Sequence, residues 1–204
     1  MVVQVKICGI KTPDTLKAAI NSGARFIGFV FYPPSPRNID IDTAKELALT
    51  LPTGVRSVGL FVDPTDEELS NVLGYAPIDI IQLHGSESLE RVTQIKQKYA
   101  LPIIKAFPVN NIKDIEKSKP YENIVDWLLF DSKTGGSGQS FDWSLLKGFE
   151  FSKPWMLSGG LTPENIGQAI EILSPNAVDV SSGVESSRGV KCPSKVEEFI
   201  KSCK

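Results

Sequence analysis

The strongest constraint on the fold is a regular alternation of apolar, strand-like runs and helix start signals. Each run is rich in Val, Ile, Phe and Leu, is bounded by Gly, Pro or Asp, and is followed by a helical pattern. Because the runs are continuously apolar, they predict strands buried on both faces, as in a parallel sheet covered by helices. The eight predicted strands are residues 2–8, 24–31, 56–62, 78–83, 102–107, 126–130, 154–157 and 177–180.

The helix start signals mostly pair a capping residue with a proline or an acidic first turn. Strict alternation of strands and helices fits either a closed barrel or an open doubly wound sheet. Eight units favour the barrel, because an open sheet would more naturally carry its glycine loop after the first strand. The sequence therefore predicts an α/β fold, a compact single-domain (β/α)8 TIM barrel over residues 1–204. The start signals are Thr12-Pro13-Asp14, Asp42-Thr43, Asp63-Pro64-Thr65, Ser86, Asn110-Asn111, Asp142, Thr162-Pro163 and Pro193-Ser194.

Composition narrows the class of function. The net charge is -2, whereas a nucleic-acid binder would need a basic patch, so we expect a small-molecule ligand. No apolar run approaches the roughly 18 residues of a membrane span, and the first residues lack the pattern of a signal peptide. The expected location is the cytoplasm. Three cysteines without a CxxC spacing argue against a disulfide scaffold and against a zinc site.

Two Gly/Ser segments directly follow the last two predicted strands. Ser158-Gly159-Gly160 follows the seventh strand, and Ser181-Ser182-Gly183 follows the eighth. Barrels of this class bind phosphate with the loops after strands seven and eight, where main-chain N–H groups at a helix N-terminus attract a dianion. The pair therefore predicts a phosphate site. A third segment, Gly135-Gly136-Ser137-Gly138, lies away from a strand-to-helix junction and is interpreted as a surface loop.

Active sites of such barrels lie at the C-terminal ends of the strands, which makes Cys8 a candidate. Buried cysteine is common as a purely structural residue, but this one would lie at the barrel mouth. Lys6, two residues earlier, projects to the same side, and we expect this cation to lower the pKa of the Cys8 thiol. Cys192 and Cys203 flank the last amphipathic helix, and both are interpreted as incidental.

Three further polar residues follow predicted strands. Asp131 comes after Leu128-Leu129-Phe130, where a carboxyl group is costly to desolvate unless it holds a proton or a partner. Arg37 ends a proline-rich loop and has the fork geometry that grips a carboxylate. His84, the single histidine of the chain, is equally compatible with a general base and with a hydrogen-bonded structural residue.

Six segments of the chain together carry a family resemblance. They are KICGI at residues 6–10, GFVFYPPSPR at 28–37, QLHG at 82–85, LLFDSK with GGSGQSFDW at 128–143, LSGGLTPENI at 157–166 and VDVSSGVESSRGVK at 178–191. In this combination the chain resembles phosphoribosylanthranilate isomerase, and the likeness spans nearly the whole chain in the family's order.

The resemblance implies a cofactor-free enzyme of tryptophan biosynthesis that rearranges N-(5-phosphoribosyl)anthranilate to the 1-deoxyribulose 5-phosphate isomer. It implies that Cys8 is the general base, Asp131 the general acid and Arg37 the anchor of the anthranilate carboxylate. The implied substrate-binding set is Arg37, Gly159, Gly160, Asp179, Ser181, Ser182 and Gly183, with Lys6 and His84 as further candidates and no metal ligands. The implied assembly is a monomer or a homodimer.

The rearrangement needs one acid and one base. The ribose ring opens as its oxygen takes a proton and a Schiff base forms, and loss of the C2 proton then gives an enolamine that becomes the ketose. Two alternatives stay open from the residues alone. One is another phosphate-binding barrel, such as a sugar-phosphate epimerase or the next enzyme of the same pathway, and the other is a barrel that senses a sugar phosphate without catalysis. An epimerase would normally need a metal and several histidines.

Overall fold

Eight parallel strands close into a barrel in the computed structural model, which describes residues 3–132 and 141–204. Each strand pairs with the next in the chain, and the eighth pairs with the first. The predicted (β/α)8 barrel is confirmed. The strands are β1 Gln4–Cys8, β2 Phe26–Val30, β3 Arg56–Phe61, β4 Ile80–Leu83, β5 Ile103–Val109, β6 Trp127–Ser132, β7 Trp155–Leu157 and β8 Ala177–Val180.

Helices and short turns cover the barrel. The α-helices are α1 Pro13–Ser22, α2 Ile41–Leu49, α3 Asp66–Tyr75, α4 Leu89–Tyr99, α5 Ile112–Glu116, α6 Ile166–Leu173 and α7 Pro193–Ser202. Short 3-10 turns occur at Lys119–Asn123, Trp143–Leu146 and Ser182–Val184. A small antiparallel hairpin, β9 Glu185–Ser187 and β10 Val190–Lys191, follows the last of these turns.

Several helix starts agree with the sequence, because the capping side chains there do bind the first free N–H groups. Thr12 accepts a hydrogen bond from the Thr15 N–H at the start of α1. Thr65 and Glu68 form a reciprocal capping box at the start of α3. The described strand bounds lie within two residues of the predicted ones.

Other start signals were wrong by a few residues. The caps of α2 and α4 are Asp40 and Ser88, not Asp42 and Ser86, and each accepts the N–H three residues later. The Asp142 signal caps only a 3-10 turn. Helix α6 begins at Ile166 rather than at Thr162, because the side chain of Asn165 ties the preceding loop together by binding the Thr162 N–H and the Gly160 carbonyl.

The core has three apolar parts: one between the strands and the helices, one inside the barrel, and a small one at the mouth formed by Cys8, Val30 and Leu60. Side chains two positions apart on a strand face the same side, so the inward positions of each strand form successive levels. Above the apolar interior, polar groups occupy the inward positions at the ends of β1, β4, β6, β7 and β8, whereas Val30 and Leu60 keep the ends of β2 and β3 apolar. The interior apolar residues are Phe26, Val58, Ile80, Ile104, Ala106, Leu129, Met156 and Ala177.

Candidate active site

A cavity of 290 Å³ opens at the C-terminal ends of the strands. Its lining comes from seven of the eight strands or from the loops that follow them, with β5 as the exception. Lys6 and Gly183, the two remaining candidates from the sequence, lie outside the lining. The predicted residues that line it are Cys8, Arg37, His84, Asp131, Gly159, Gly160, Asp179, Ser181 and Ser182.

Beneath the cavity floor, Lys6 forms a fully buried ion pair. Its ammonium lies 2.8 Å from Asp179 Oδ1, and the lysine has no exposed surface. Burial alone would lower the pKa of Lys6, but the attraction of Asp179 and of Cys8 outweighs burial and raises it. The closure of the barrel between β1 and β8 creates this pair, since the strand register places Lys6 directly beside Asp179. Ser158 Oγ donates to the other carboxylate oxygen at 3.2 Å.

The expected lowering of the Cys8 pKa is wrong for the free protein. Burial raises the pKa of the thiol, and the lowering effect of the Lys6 charge does not compensate for burial. Asp179 raises the pKa further, because its negative charge also faces the thiol. The Lys6 ammonium therefore lies near Cys8, as the sequence predicts, but the carboxylate of Asp179, a residue distant in sequence, already neutralises its charge.

Both carboxyl oxygens of Asp131 contact another group of the protein. Oδ1 accepts a hydrogen bond from the Ser132 N–H at 2.7 Å, and Oδ2 lies 3.2 Å from Nε2 of His84. The other ring nitrogen of His84, Nδ1, lies 2.9 Å from the amide nitrogen of Gln82, a residue with no exposed surface. His84 therefore contacts the proposed acid directly.

Arg37 is bound to a carboxylate of the chain itself. Its Nε and Nη2 atoms donate to the two oxygens of Glu185 at 2.7 and 3.0 Å, in the bidentate geometry that arginine favours. Lys191 donates to the same carboxylate at 2.7 Å and to Ser181 Oγ at 3.3 Å. Two buried cations thus surround one anion, and the cluster carries an excess positive charge beside the cavity.

The hairpin β9–β10 builds this cluster. Glu185 begins β9, and the Gly189 N–H, in the turn of the hairpin, donates to Glu185 Oε2 at 3.0 Å. Burial opposes ionisation of Glu185, but the hydrogen bonds from Arg37 and Lys191 lower the pKa of its carboxyl from 4.5 to about 2. Burial lowers the pKa of Lys191, and Glu185 only partly offsets this effect.

Residues of both Gly/Ser segments line the cavity. Gly159 and Gly160 have φ angles of +88° and +63°, which favour residues without a side chain. Gly183 does not need a positive φ. A Cβ there would overlap the Leu161 carbonyl oxygen, so the role of Gly183 is to let the two loops approach each other.

Other residues singled out in the sequence do not join the site. Asp63 accepts a hydrogen bond from the Ser86 N–H at 2.7 Å and so connects the loop after β3 with the loop after β4. Cys192 and Cys203 are free thiols that do not line the cavity. The segment Gly135-Gly136-Ser137-Gly138 lies outside the described residues.

The residues that sequence reasoning missed are Glu185, Lys191 and Gln82. All three fall within the segments that carry the family resemblance. Each has a polar side chain next to a buried strand, and this feature could have identified them as candidates from the sequence. Arg188 and Ser158 also line the cavity. Within residues 3–132 and 141–204 no cluster of three or more His, Cys, Asp or Glu side chains suits a metal ion, and no helix is long and apolar enough to cross a membrane.

Comparison with known proteins identifies the family of this chain. The model of N-(5'phosphoribosyl)anthranilate (PRA) isomerase matches residues 5–202. The N-(5'-phosphoribosyl)anthranilate isomerase of Rhodospirillum centenum is 49% identical over 208 residues, which cover 98% of this chain and 97% of the relative.

Solved structures of this family also match the chain. The crystal structure of phosphoribosyl anthranilate isomerase from Thermotoga maritima has a TM-score of 0.91 and 41% identity, with 98% of each chain covered. A phosphoribosyl anthranilate isomerase in complex with reduced 1-(o-carboxyphenylamino)-1-deoxyribulose 5-phosphate has a TM-score of 0.87 and 38% identity over 98% of each chain. The chain therefore belongs to the N-(5'phosphoribosyl)anthranilate (PRA) isomerase family.

Proposed function

We propose that the chain converts N-(5'-phosphoribosyl)anthranilate to 1-(o-carboxyphenylamino)-1-deoxyribulose 5-phosphate, a step of tryptophan biosynthesis. The observation that carries the proposal is a shared cavity. A thiol, Cys8, and a carboxyl group, Asp131, line the same 290 Å³ space as the two Gly/Ser loops. One acid, one base and one anion site are what the rearrangement requires.

The two ends of the substrate define its orientation in the cavity. The phosphate binds at the loops of Gly159, Gly160, Ser181 and Ser182, where main-chain N–H groups and small side chains leave room for a dianion. Gly183 supports this end by allowing the loops to approach each other. Binding energy from a group remote from the reacting carbons holds the sugar in place.

The carboxylate end of the substrate lies toward Arg37. Glu185 occupies Nε and Nη2 of the guanidinium, so Nη1 and the second Nη2–H remain for an anion. The excess positive charge of the Arg37–Lys191–Glu185 cluster favours a negatively charged ligand group here. Arg188, which also lines the cavity, adds a further cation at the mouth.

Asp131 acts as the general acid and Cys8 as the general base. Asp131 gives a proton to the ring oxygen as the bond to C1 breaks, and Cys8 then removes the proton from C2. Because Asp179 raises the pKa of the free thiol, a hydroxyl of the substrate that donates to Asp179 would weaken this effect. Substrate binding would thus favour the thiolate, with the Lys6 ammonium close beneath it.

The reaction needs neither metal nor organic cofactor, and we propose none. We also propose a cytoplasmic location, which three unpaired thiols support. The partner is a small molecule rather than nucleic acid or membrane. Since one chain contributes every proposed site residue, both a monomer and a homodimer are compatible with activity.

Incubation of the purified protein with N-(5'-phosphoribosyl)anthranilate tests the proposal. Chromatography should show conversion to the isomer without added metal. The variants Cys8→Ala and Asp131→Asn should lose at least about a hundredfold in kcat, while Cys192→Ala, a thiol away from the cavity, should keep the wild-type rate. Binding without conversion would instead support a metabolite-sensing barrel.

A further inference from the structure

Three side chains lead from the barrel interior to the cavity: Gln82, His84 and Asp131. Gln82 and His84 lie two positions apart at the end of β4, and Asp131 lies on β6. We propose that Gln82 and His84 are positioning residues for Asp131. Gln82 holds the neutral imidazole in the tautomer that carries its proton on Nε2, and this N–H donates to the carboxyl group. The inference rests on the proposed function only in assigning Asp131 as the acid.

The hydrogen-bond chemistry specifies the tautomer. In the amide orientation of the structure, the Gln82 nitrogen lies 2.9 Å from Nδ1, and because an amide nitrogen only donates, Nδ1 is the acceptor in this arrangement. In a neutral imidazole the proton then lies on Nε2, 3.2 Å from Asp131 Oδ2. The opposite tautomer would place an N–H against the amide N–H groups of Gln82, and it would leave Nε2 without a proton to donate to Asp131 Oδ2.

Gln82 acts only through His84. It has no exposed surface and does not line the cavity, whereas the side chain of His84 is 24% exposed and does. Within the described residues, the Gln82 Oε1 atom is buried and has no hydrogen-bond partner. Such an arrangement costs folding free energy. Within the part of the chain that the structure describes, the imidazole of His84 is the one hydrogen-bond partner of the Gln82 side chain, so the contact with His84 is the use that the structure shows for this buried amide.

The consequence for catalysis is a fixed carboxyl group. Asp131 Oδ1 accepts the Ser132 N–H, and Oδ2 accepts the His84 N–H, so both oxygens have defined partners. When the acid gives its proton to the ring oxygen, these two donors stabilise the carboxylate that forms. Loss of the imidazole donor would weaken the acid at the moment of proton transfer.

The single histidine of the chain makes the tautomer directly measurable. Long-range 1H–15N correlation spectra of 15N-labelled protein identify which ring nitrogen carries the proton, without any need for resonance assignment or turnover. Gln82→Met removes the amide and keeps the volume, and Gln82→Glu offers an acceptor that favours a proton on Nδ1. Ser57→Ala is the matched control, because Ser57 is a buried residue of the neighbouring strand whose hydroxyl donates to the Pro77 carbonyl at 2.7 Å.

We expect the Nε2–H tautomer in the wild type and in Ser57→Ala. Gln82→Met should show a mixture of tautomers, and Gln82→Glu a proton on Nδ1. Both Gln82 variants should lose about tenfold in kcat with KM unchanged, the effect of one hydrogen bond.

A wild-type spectrum with the proton on Nδ1 would overturn the inference. So would an unchanged kcat in a Gln82 variant that has lost the tautomer. If Gln82→Met does not fold, as judged by circular dichroism, the wild-type spectrum and Gln82→Glu still decide. Because the spectra need no substrate, a failure of the proposed function would appear as missing turnover with the tautomer intact.

Discussion

Replacing Glu185 by Gln tests whether the Arg37–Lys191–Glu185 cluster holds its two cations in place. The carboxylate accepts four hydrogen bonds, two from Arg37, one from Lys191 and one from the Gly189 N–H. Arg37 and Lys191 are only 8% and 7% exposed, so water cannot replace the lost acceptor. A glutamine keeps one acceptor oxygen but turns an amide N–H toward two of the four donors.

The expected loss of stability is large but tolerable. A hydrogen bond to a charged group contributes about 1.5–3 kcal/mol, and removal of one partner of a buried ion pair costs about 3–5 kcal/mol. Since half of the acceptors remain, we expect the free energy of unfolding to fall by about 3 kcal/mol. Most domains have a total of about 5–15 kcal/mol, so the variant should still fold.

The pH dependence supplies a second signature. The folded protein lowers the pKa of Glu185 from 4.5 to about 2, so the unfolded chain takes up a proton at this residue at a higher pH than the folded chain does. The stabilising contribution is thus present above pH 4.5 and is lost as the pH falls toward 2. In Glu185→Gln this part of the pH dependence should disappear.

Urea unfolding of both proteins, followed between pH 7 and the acid range, measures both effects. Asp66→Asn is the control, because Asp66 also binds two cations, Arg91 and Lys98, but with a side chain that is 52% exposed. A Glu185→Gln variant with wild-type stability and an unchanged pH dependence of stability below pH 4.5 would refute the claim that the Glu185 carboxylate holds Arg37 and Lys191 in place.

Three further predictions concern binding and thiol chemistry. Arg37→Ala should lower kcat/KM, and Arg37→Lys should not fully restore it because an ammonium lacks the bidentate fork; full restoration in steady-state assays would contradict this. In calorimetric titrations with a non-reactive ribose phosphate, Ser182→Ala should lose about 0.5–1.5 kcal/mol of binding free energy. Gly183→Val should lose more, because the valine side chain separates the two loops. If both variants bind the ligand as tightly as the wild type, the phosphate lies elsewhere. In alkylation followed by mass spectrometry, Cys192 should react first and Cys203 last, because hydrogen bonding to Ser194 lowers the pKa of Cys192 and burial raises that of Cys203 to about 12. Cys8 should react slowly at neutral pH, and its rate should still be rising with pH beyond 9.0, because its pKa is raised above that value. Rapid modification of Cys8 at neutral pH would contradict the raised pKa.

The barrel was predictable because its strands are continuously apolar and its helices mostly begin at strong caps. The errors arose where tertiary contacts replace a local signal. Asn165 binds the Thr162 N–H and delays α6, although Thr162-Pro163 has the pattern of a helix start. No local rule shows that Asn165 will fold back onto its own loop.

The candidate site was predictable only in part. Strand alternation and strand ends brought Cys8 and Asp131 to one mouth. The pKa of Cys8 could not be predicted, because Asp179, 173 positions beyond Lys6, reaches it only through closure of the barrel. Glu185 was missed for the same reason, since 148 positions separate it from Arg37.

The most direct test of the account is a single-turnover experiment with enzyme in excess over N-(5'-phosphoribosyl)anthranilate, because it separates the chemical step from product release. Wild-type protein should convert the substrate in one fast phase. Cys8→Ala and Asp131→Asn should each slow that phase at least about a hundredfold, with the affinity for a product analogue retained. A near-wild-type rate in either variant would contradict the central claim that this thiol and this carboxyl group transfer the protons.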